Sequence, residues 1–117
     1  MKLQKLISKL EKHHKKKLDL SLGRTFNLLK KLGNPQDKLK NVVTVVGTNA
    51  KASMCYSLKS ILNQAGHKTN LYTSPHLLSY TERYVFDDKE INEEDLIELL
   101  TGVEKTLGDD NATLFEI

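Results

Sequence analysis

The apolar positions of this chain follow two different periods, and the changes of period mark its parts. Leu3, Leu6, Ile7 and Leu10 recur at helical spacing with lysines between them, which predicts an amphipathic helix to about Lys16. Leu18, Leu20 and Leu22 read as a short connector. Ser21 is placed to cap a second helix, with Phe26, Leu28, Leu29 and Leu32 on its buried side. Gly33 stops that helix, and Asn34-Pro35 confirms the stop. Val42 to Val46 then breaks the helical period. It is a β-branched run without alternation, the pattern of a strand covered on both faces in a parallel sheet.

Lys51 to Gln64 returns to helix, with Leu58, Ile61, Leu62 and Ala65 expected inward and Gly66 as its stop. Lys68 to Thr73, which contains Leu71 and Tyr72, reads as the next strand. The unit is therefore βαβ, with adjacent parallel strands. Pro75 ends that strand, because it cannot donate to a ladder. Glu82 to Phe86 alternates as a further short strand, and Asp87-Asp88 is a turn. Asn92 is placed to cap a last helix, with Asp95 at the capping-box position and Leu96, Leu99, Leu100 and Val103 on its apolar face. Gly108 to Asn111 is a loop, and Thr113 to Ile117 opens another helix or strand. The fold class is α/β, with a mostly parallel sheet and flanking helices.

Length and charge narrow the picture. The chain of 117 residues fits one small domain or part of a larger one, and its 38% apolar content suffices for a core. The net charge of +3 is concentrated near the start, in Lys9, Lys12, Lys15, Lys16 and Lys17 around His13 and His14. Such a run suits either an anionic partner or a solvated helix face. It has no arginine and no interleaved aromatics, which favours the solvated face, so no nucleic-acid partner is expected. Cys55 is the single cysteine, so an internal disulfide and a zinc knuckle are excluded, and a small apolar helix residue is expected there. No apolar run approaches the roughly 18 residues of a membrane span, and the basic N-terminus lacks an apolar signal core. A cytoplasmic protein without a membrane partner is expected.

The chemistry gathers around Gly47 to Ser53. A strand, a tight turn, a lysine, a hydroxyl and a helix start follow one another there, which is the layout of a phosphate-binding loop. Gly47 permits the turn, Lys51 supplies a cation at the helix N-terminus, and Ser53 supplies a hydroxyl for Mg²⁺. An ordinary turn with a solvated lysine is the alternative, because the spacing is not that of the common Gly-x4-Gly-Lys-Ser loop. Tyr72-Thr73-Ser74-Pro75-His76-Leu77 follows the second strand. Open α/β sheets bind ligands beyond the carboxyl ends of their strands, so Ser74 and His76 are expected at the same crevice. Arg83, after Glu82, is placed either to clamp an anion or to form a surface ion pair.

The ordered set Leu32-Gly33-Asn34-Pro35, Gly47-Thr48-Asn49-x-Lys51-x-Ser53, Ile61-Leu62 before Gly66, Tyr72-Thr73-Ser74-Pro75-His76-Leu77, Glu82-Arg83 and Phe115-Glu116 resembles the N-terminal region of folylpolyglutamate synthase/dihydrofolate synthase, in the Mur ligase superfamily. The resemblance runs from about Leu18 to the end. It implies a helical lead-in over residues 1–40 and an incomplete P-loop ATP-binding domain over 41–117. The remainder of that domain and a glutamate-binding domain are expected outside this sequence. It further implies ATP and Mg²⁺ as cofactors, folate or dihydropteroate and L-glutamate as substrates, and a full-length monomer. The reaction would join glutamate to a carboxylate through an acyl phosphate.

By the same resemblance Lys51 and Arg83 are catalytic, and Gly47, Thr48, Asn49, Ala50, Lys51, Ala52 and Ser53 cradle the phosphates. Ser53 and Ser74 hold the metal, and His76 has no assigned step. Another Mur-type amide ligase, or a non-catalytic nucleotide-binding fragment, is the alternative. The family writes glycine where this chain has Ala50 and Ala52. Ala52 is expected in the first helical turn, where alanine is comfortable. Ala50 would cost about 1 kcal/mol if its φ is positive.

Overall fold

A computed structural model of the chain describes residues 2–12 and 21–117. His13, His14, Lys15, Lys16, Lys17, Leu18 and Leu20 of the basic run and the connector lie outside the described residues. The chain divides into two compact units, Met1–Asn41 with Glu94–Ile117, and Val42–Glu93.

The first unit is helical. Helix α1 spans Lys2–Leu10 and buries Leu3 and Leu10. It ends sooner than expected, in a turn at Glu11 and Lys12, because the apolar repeat that gives a helix something to pack stops at Leu10. Helix α2 spans Gly23–Lys31, with Leu22 rather than Ser21 in the capping position and no cap from the Leu22 side chain. Its end follows the sequence closely. Gly33, at φ +80°, donates to the Lys30 carbonyl at 3.1 Å, and Asn34 donates to the Leu29 carbonyl at 2.8 Å. Those two bonds are a complete Schellman stop.

Leu28 of α2 is buried with Leu107 and Ala112, and Val103 and Ile117 pack against them. Phe26, expected inside, is 64% exposed. It stands two residues from Leu28 and so on the opposite side of the helix. Helix α4 spans Glu93–Leu107, directly after Asn92, and buries Leu96, Leu100 and Leu107. Leu99 sits off that stripe and is exposed. Thr113 to Ile117 forms a turn rather than a new helix or strand.

The second unit holds α3, Lys51–Gln64, with the bounds expected. Gly66 and His67 close it with the same Schellman pair, donating to Asn63 and Leu62 at 3.0 and 2.9 Å. The half-buried arc of α3 runs through Lys51, Cys55, Leu58 and Leu62, with Lys59 buried. Ile61 lies roughly 120° round from that arc and Ala65 beyond its end, so both are exposed, against expectation.

Beside α3 lie three short strands, β1 Leu71–Tyr72, β2 Tyr84–Phe86 and β3 Lys89–Glu90, in the order β1-β2-β3. Both pairings are antiparallel, Leu71 opposite Val85 and Phe86 opposite Lys89. The expected parallel sheet is thus absent among the described residues. Val42 to Val46 forms no strand and pairs with none among the described residues, with Val46 84% exposed.

The physical reason is reach. The β2–β3 hairpin closes over two residues, Asp87 and Asp88, whose φ of 46° and 67° suit a type I′ turn. A strand apolar on both faces needs ladder partners on its two edges, and the described residues provide neither. The hairpin turn is tied to α3, where Lys59 pairs with Asp88 and Asn63 donates to it at 2.7 Å. Among the described residues no helix is long and apolar enough to cross a membrane.

Candidate functional site

The second unit carries the residues that matter, in two groups. The first is the turn into α3. Ala50 takes the position ahead of the helix at φ 58° and ψ 16°, the left-handed region that alanine enters at a cost of about 1 kcal/mol. The first intrahelical bond runs from the Met54 amide to the Ala50 carbonyl at 3.0 Å. The amides of Lys51, Ala52 and Ser53 therefore lie ahead of the helical ladder, and among the described residues no side chain caps them. Exposed amides at the positive end of a helix dipole make an anion cradle.

Ala52 sits inside the first turn and bears on no special backbone. The Lys51 ammonium crosses the loop to the Gly47 carbonyl at 2.6 Å, so its charge is held at the mouth of the cradle. A Cβ on Gly47 would approach Lys51 Cγ to 3.9 Å, ordinary contact. Thr48, Asn49 and Ser53 are exposed.

The second group follows β1. Arg83 Nε donates to His76 Nδ1 at 2.9 Å, and Arg83 Nη1 donates to Ser74 Oγ at 3.4 Å. The guanidinium lies over the Tyr80 ring at 4.6 Å, a cation–π contact. Tyr80 also meets His76 edge-on at 5.4 Å and Tyr84 at 6.1 Å. Burial, with Tyr80 and Tyr72 nearby, pushes the Tyr84 hydroxyl well above its ordinary range, so it stays a neutral member of the stack.

Glu82 is not the ion-pair partner of Arg83 that its position suggested. Its carboxylate turns back and accepts from the amides of Leu77, Leu78 and Ser79 at 2.9, 2.8 and 2.6 Å. Those amides hold the Glu82 carboxyl below its ordinary value of 4.5. Ser79 accepts from the Thr81 amide in return, which completes a capping box on the short turn Tyr80–Arg83. The Ser79-x-x-Glu82 spelling of that box is a local signal legible in the sequence. Sequence reasoning missed Tyr80, since nothing local says which aromatic a guanidinium will cover.

The structure thus joins Ser74, His76 and Arg83 directly, and Gly47 with Lys51. No hydrogen bond links the two groups among the described residues. A third charged feature, in the first unit, was also missed. Arg24 forks onto Glu116 at 3.2 and 3.0 Å, and the Thr113 amide donates to the same carboxylate at 2.7 Å. Burial alone would raise the Glu116 carboxyl, but the Thr113 amide and the Arg24 guanidinium outweigh it and hold it low.

No family model matches the chain. Over 110 residues, 94% of its length, it is 39% identical to the dihydrofolate synthase/folylpolyglutamate synthase of Escherichia coli strain K12, of which it covers 26%. It is also 39% identical over 93 residues to the folylpolyglutamate synthase of Arabidopsis thaliana, covering 79% of the chain and 16% of that protein. Among solved structures it matches E. coli FolC in complex with DHPP and ADP, with a TM-score of 0.87 at 39% identity over 97% of the chain and 27% of that structure. It matches the bifunctional synthase of Yersinia pestis, complexed with AMPPNP and Mn ion, with a TM-score of 0.84 at 35% identity over 97% of the chain and 28% of the structure. The match is to part of a Mur-ligase-like α/β fold. The chain spans about a quarter of the length of the E. coli relative and less of the plant one.

Proposed function

From a chain whose homologues along its length are dihydrofolate and folylpolyglutamate synthases, we propose the ATP-binding part of a cytoplasmic ligase that adds L-glutamate to the carboxylate of a folate or dihydropteroate. The observation that carries the reading is the uncapped N-terminus of α3 with Lys51 held at its mouth. The donors present suit a polyphosphate: three amides, one cation and the Ser53 hydroxyl. Ser53 and Ser74 would hold Mg²⁺, which when bound offsets the charge of the phosphate oxygens.

In this reading the substrate carboxylate attacks the terminal phosphorus of ATP, and the bond to the ADP oxygen breaks. Lys51 steadies the charge on the transferring phosphoryl group, and Arg83 aligns the carboxylate. The glutamate amine then attacks the acyl carbon and phosphate leaves, which forms the amide. Val42 to Val46, unpaired here, becomes the central strand of the parallel sheet when the rest of a longer protein lies beside it. The segment binds nucleotide, and the complete cycle needs that longer protein, acting as a monomer.

Calorimetric titration of the chain with MgATP tests the reading. Binding is expected, with Lys51→Ala weakening it by about tenfold to a hundredfold, the loss of one charge-assisted contact. Equal affinity of the two proteins would remove the phosphate cradle. In a longer enzyme carrying this segment, ADP should appear only with glutamate and a pteroate or folate together. ADP release with a muramyl precursor instead would reassign it to another Mur-type ligase. One observation favours a second reading, a vestigial nucleotide site: the strained φ of Ala50 in the cradle itself.

A further inference from the structure

We propose that His76 is the positioning residue of Arg83, fixing which edge of the guanidinium is offered to an anion beside Ser74. The Nε of an arginine is always a donor, so the His76 Nδ1 that accepts from it at 2.9 Å carries no proton. The imidazole is therefore the Nε2–H tautomer. With Nε engaged, the remaining guanidinium donors lie on the Nη edge. Nη1 already leans on Ser74 Oγ at 3.4 Å, and Nη2 has no hydrogen bond among the described residues. Tyr80 fixes the plane of the group from below and braces His76 at its edge.

The backbone holds both ends of the pair. The amide of Leu77, next to His76, is bound by Glu82, the residue next to Arg83. The Arg83 carbonyl accepts from the Thr73 amide at 3.0 Å. Plane, edge and direction are thus set before any ligand arrives, which is what a bidentate clamp on a carboxylate or phosphate requires. The groups against His76 are Arg83 and Tyr80, with the Glu82 carboxylate nearby. Only the identity of the anion rests on the ligase reading; the His76–Arg83 geometry does not.

Nitrogen-15 NMR of the full chain tests the proposal. The imidazole spectrum should show His76 with Nδ1 bare and Nε2 protonated, and the Arg83 Nε–H signal should move in His76→Ala. His76→Asn places an acceptor oxygen where Nδ1 stood and should restore that signal. His76→Gln places its polar atoms at the Nε2 position and should not. With inorganic phosphate as the probe, the Arg83 Nη signals should report binding that weakens roughly two- to tenfold in His76→Ala and His76→Gln, the cost of ordering one freed side chain, and recovers in His76→Asn. An Nδ1-protonated ring, an unmoved Arg83 signal, or equal rescue by Gln and Asn would overturn the positioning role. Phosphate that leaves the wild-type Arg83 signals unmoved would overturn the clamp. MgATP binding at the α3 N-terminus, measured separately, decides the proposed function itself.

Discussion

Two backbone nests in one unit bind negative charge differently. The amides of Leu77, Leu78 and Ser79 converge on an oxygen pair, and the chain fills that place with its own Glu82 carboxylate. The amides of Lys51, Ala52 and Ser53 stand at the start of α3, and among the described residues no side chain caps them. The physics of attraction is the same in both: aligned N–H donors favour an anion. The use differs. A nest closed by an internal carboxylate stabilises a loop and is finished on folding. A nest left open, with a lysine at its mouth, is stabilised further only by something from outside. The first therefore makes a scaffold for Arg83, and the second is the nest proposed above as the ligand site. Glu116 extends the contrast, being a carboxylate closed by the Thr113 amide and the Arg24 fork together.

The internal pairing of Glu116 should give the largest single effect. Its side chain is 7% exposed and that of Arg24 is 21% exposed, so solvent compensates little for a lost partner. Arg24→Ala is expected to cost about 2–3 kcal/mol in chemical denaturation, the penalty of a buried charge left unpaired. A loss under half of that would mean that the Thr113 amide alone satisfies the carboxylate. Because the folded value of Glu116 is depressed, its contribution is present above the unfolded value near 4.5 and is lost as pH falls through the lower folded one.

Glu82 comes next, with the same sign and a local reach. Its carboxyl is also held low, so the Leu77–Ser79 loop should stay ordered above about pH 4.5 and loosen as pH falls through the depressed value. Glu82→Gln keeps the size and drops the charge. Amide exchange at Leu77, Leu78 and Ser79 should then quicken at neutral pH, as it does in the wild type on acidification, while α4 keeps its protection. Unchanged exchange at those three amides would show that the nest does not need its anion, and the contrast with the open nest would lose its meaning.

What could be read in advance follows the range of the interactions. The ends of α2 and α3 were legible because a Schellman stop is decided within six residues by one glycine, Gly33 or Gly66. The Asp87-Asp88 turn was legible for the same reason. Whether Phe26 and Ile61 face a core depends on which arc of the helix a distant segment covers, and a mixed apolar pattern does not settle that. Val42 to Val46 has the composition of a central strand, yet composition supplies no ladder, and β1 pairs instead with the nearby Tyr84–Val85. The Arg24–Glu116 fork joins residues 92 positions apart and leaves no local trace. At the site, the residue types were legible and the wiring was not. Lys51, Ser74 and Arg83 stand out by type, whereas the bond from Arg83 to His76 and the closed nest of Glu82 depend on how the loop folds back on itself.

The smallest expected effect lies at Ala50, and it separates an open nest in working order from a decayed one. At φ 58° alanine carries about 1 kcal/mol of strain that glycine would not. Glycine also gains freedom in the unfolded chain, worth about 0.4–1 kcal/mol in the opposite sense. Ala50→Gly should therefore change stability by less than about 1 kcal/mol. The loop already holds the left-handed backbone that the helix start requires, so the amides of Lys51, Ala52 and Ser53 keep their direction in either protein. MgATP affinity, measured by calorimetry for Ala50→Gly alone and with Ala52→Gly, should then move by less than about threefold, since roughly 1.4 kcal/mol is needed for each factor of ten. A sharp rise in affinity would mean that the methyl groups, and not the backbone, had been closing the nest, and would move the chain to the vestigial reading.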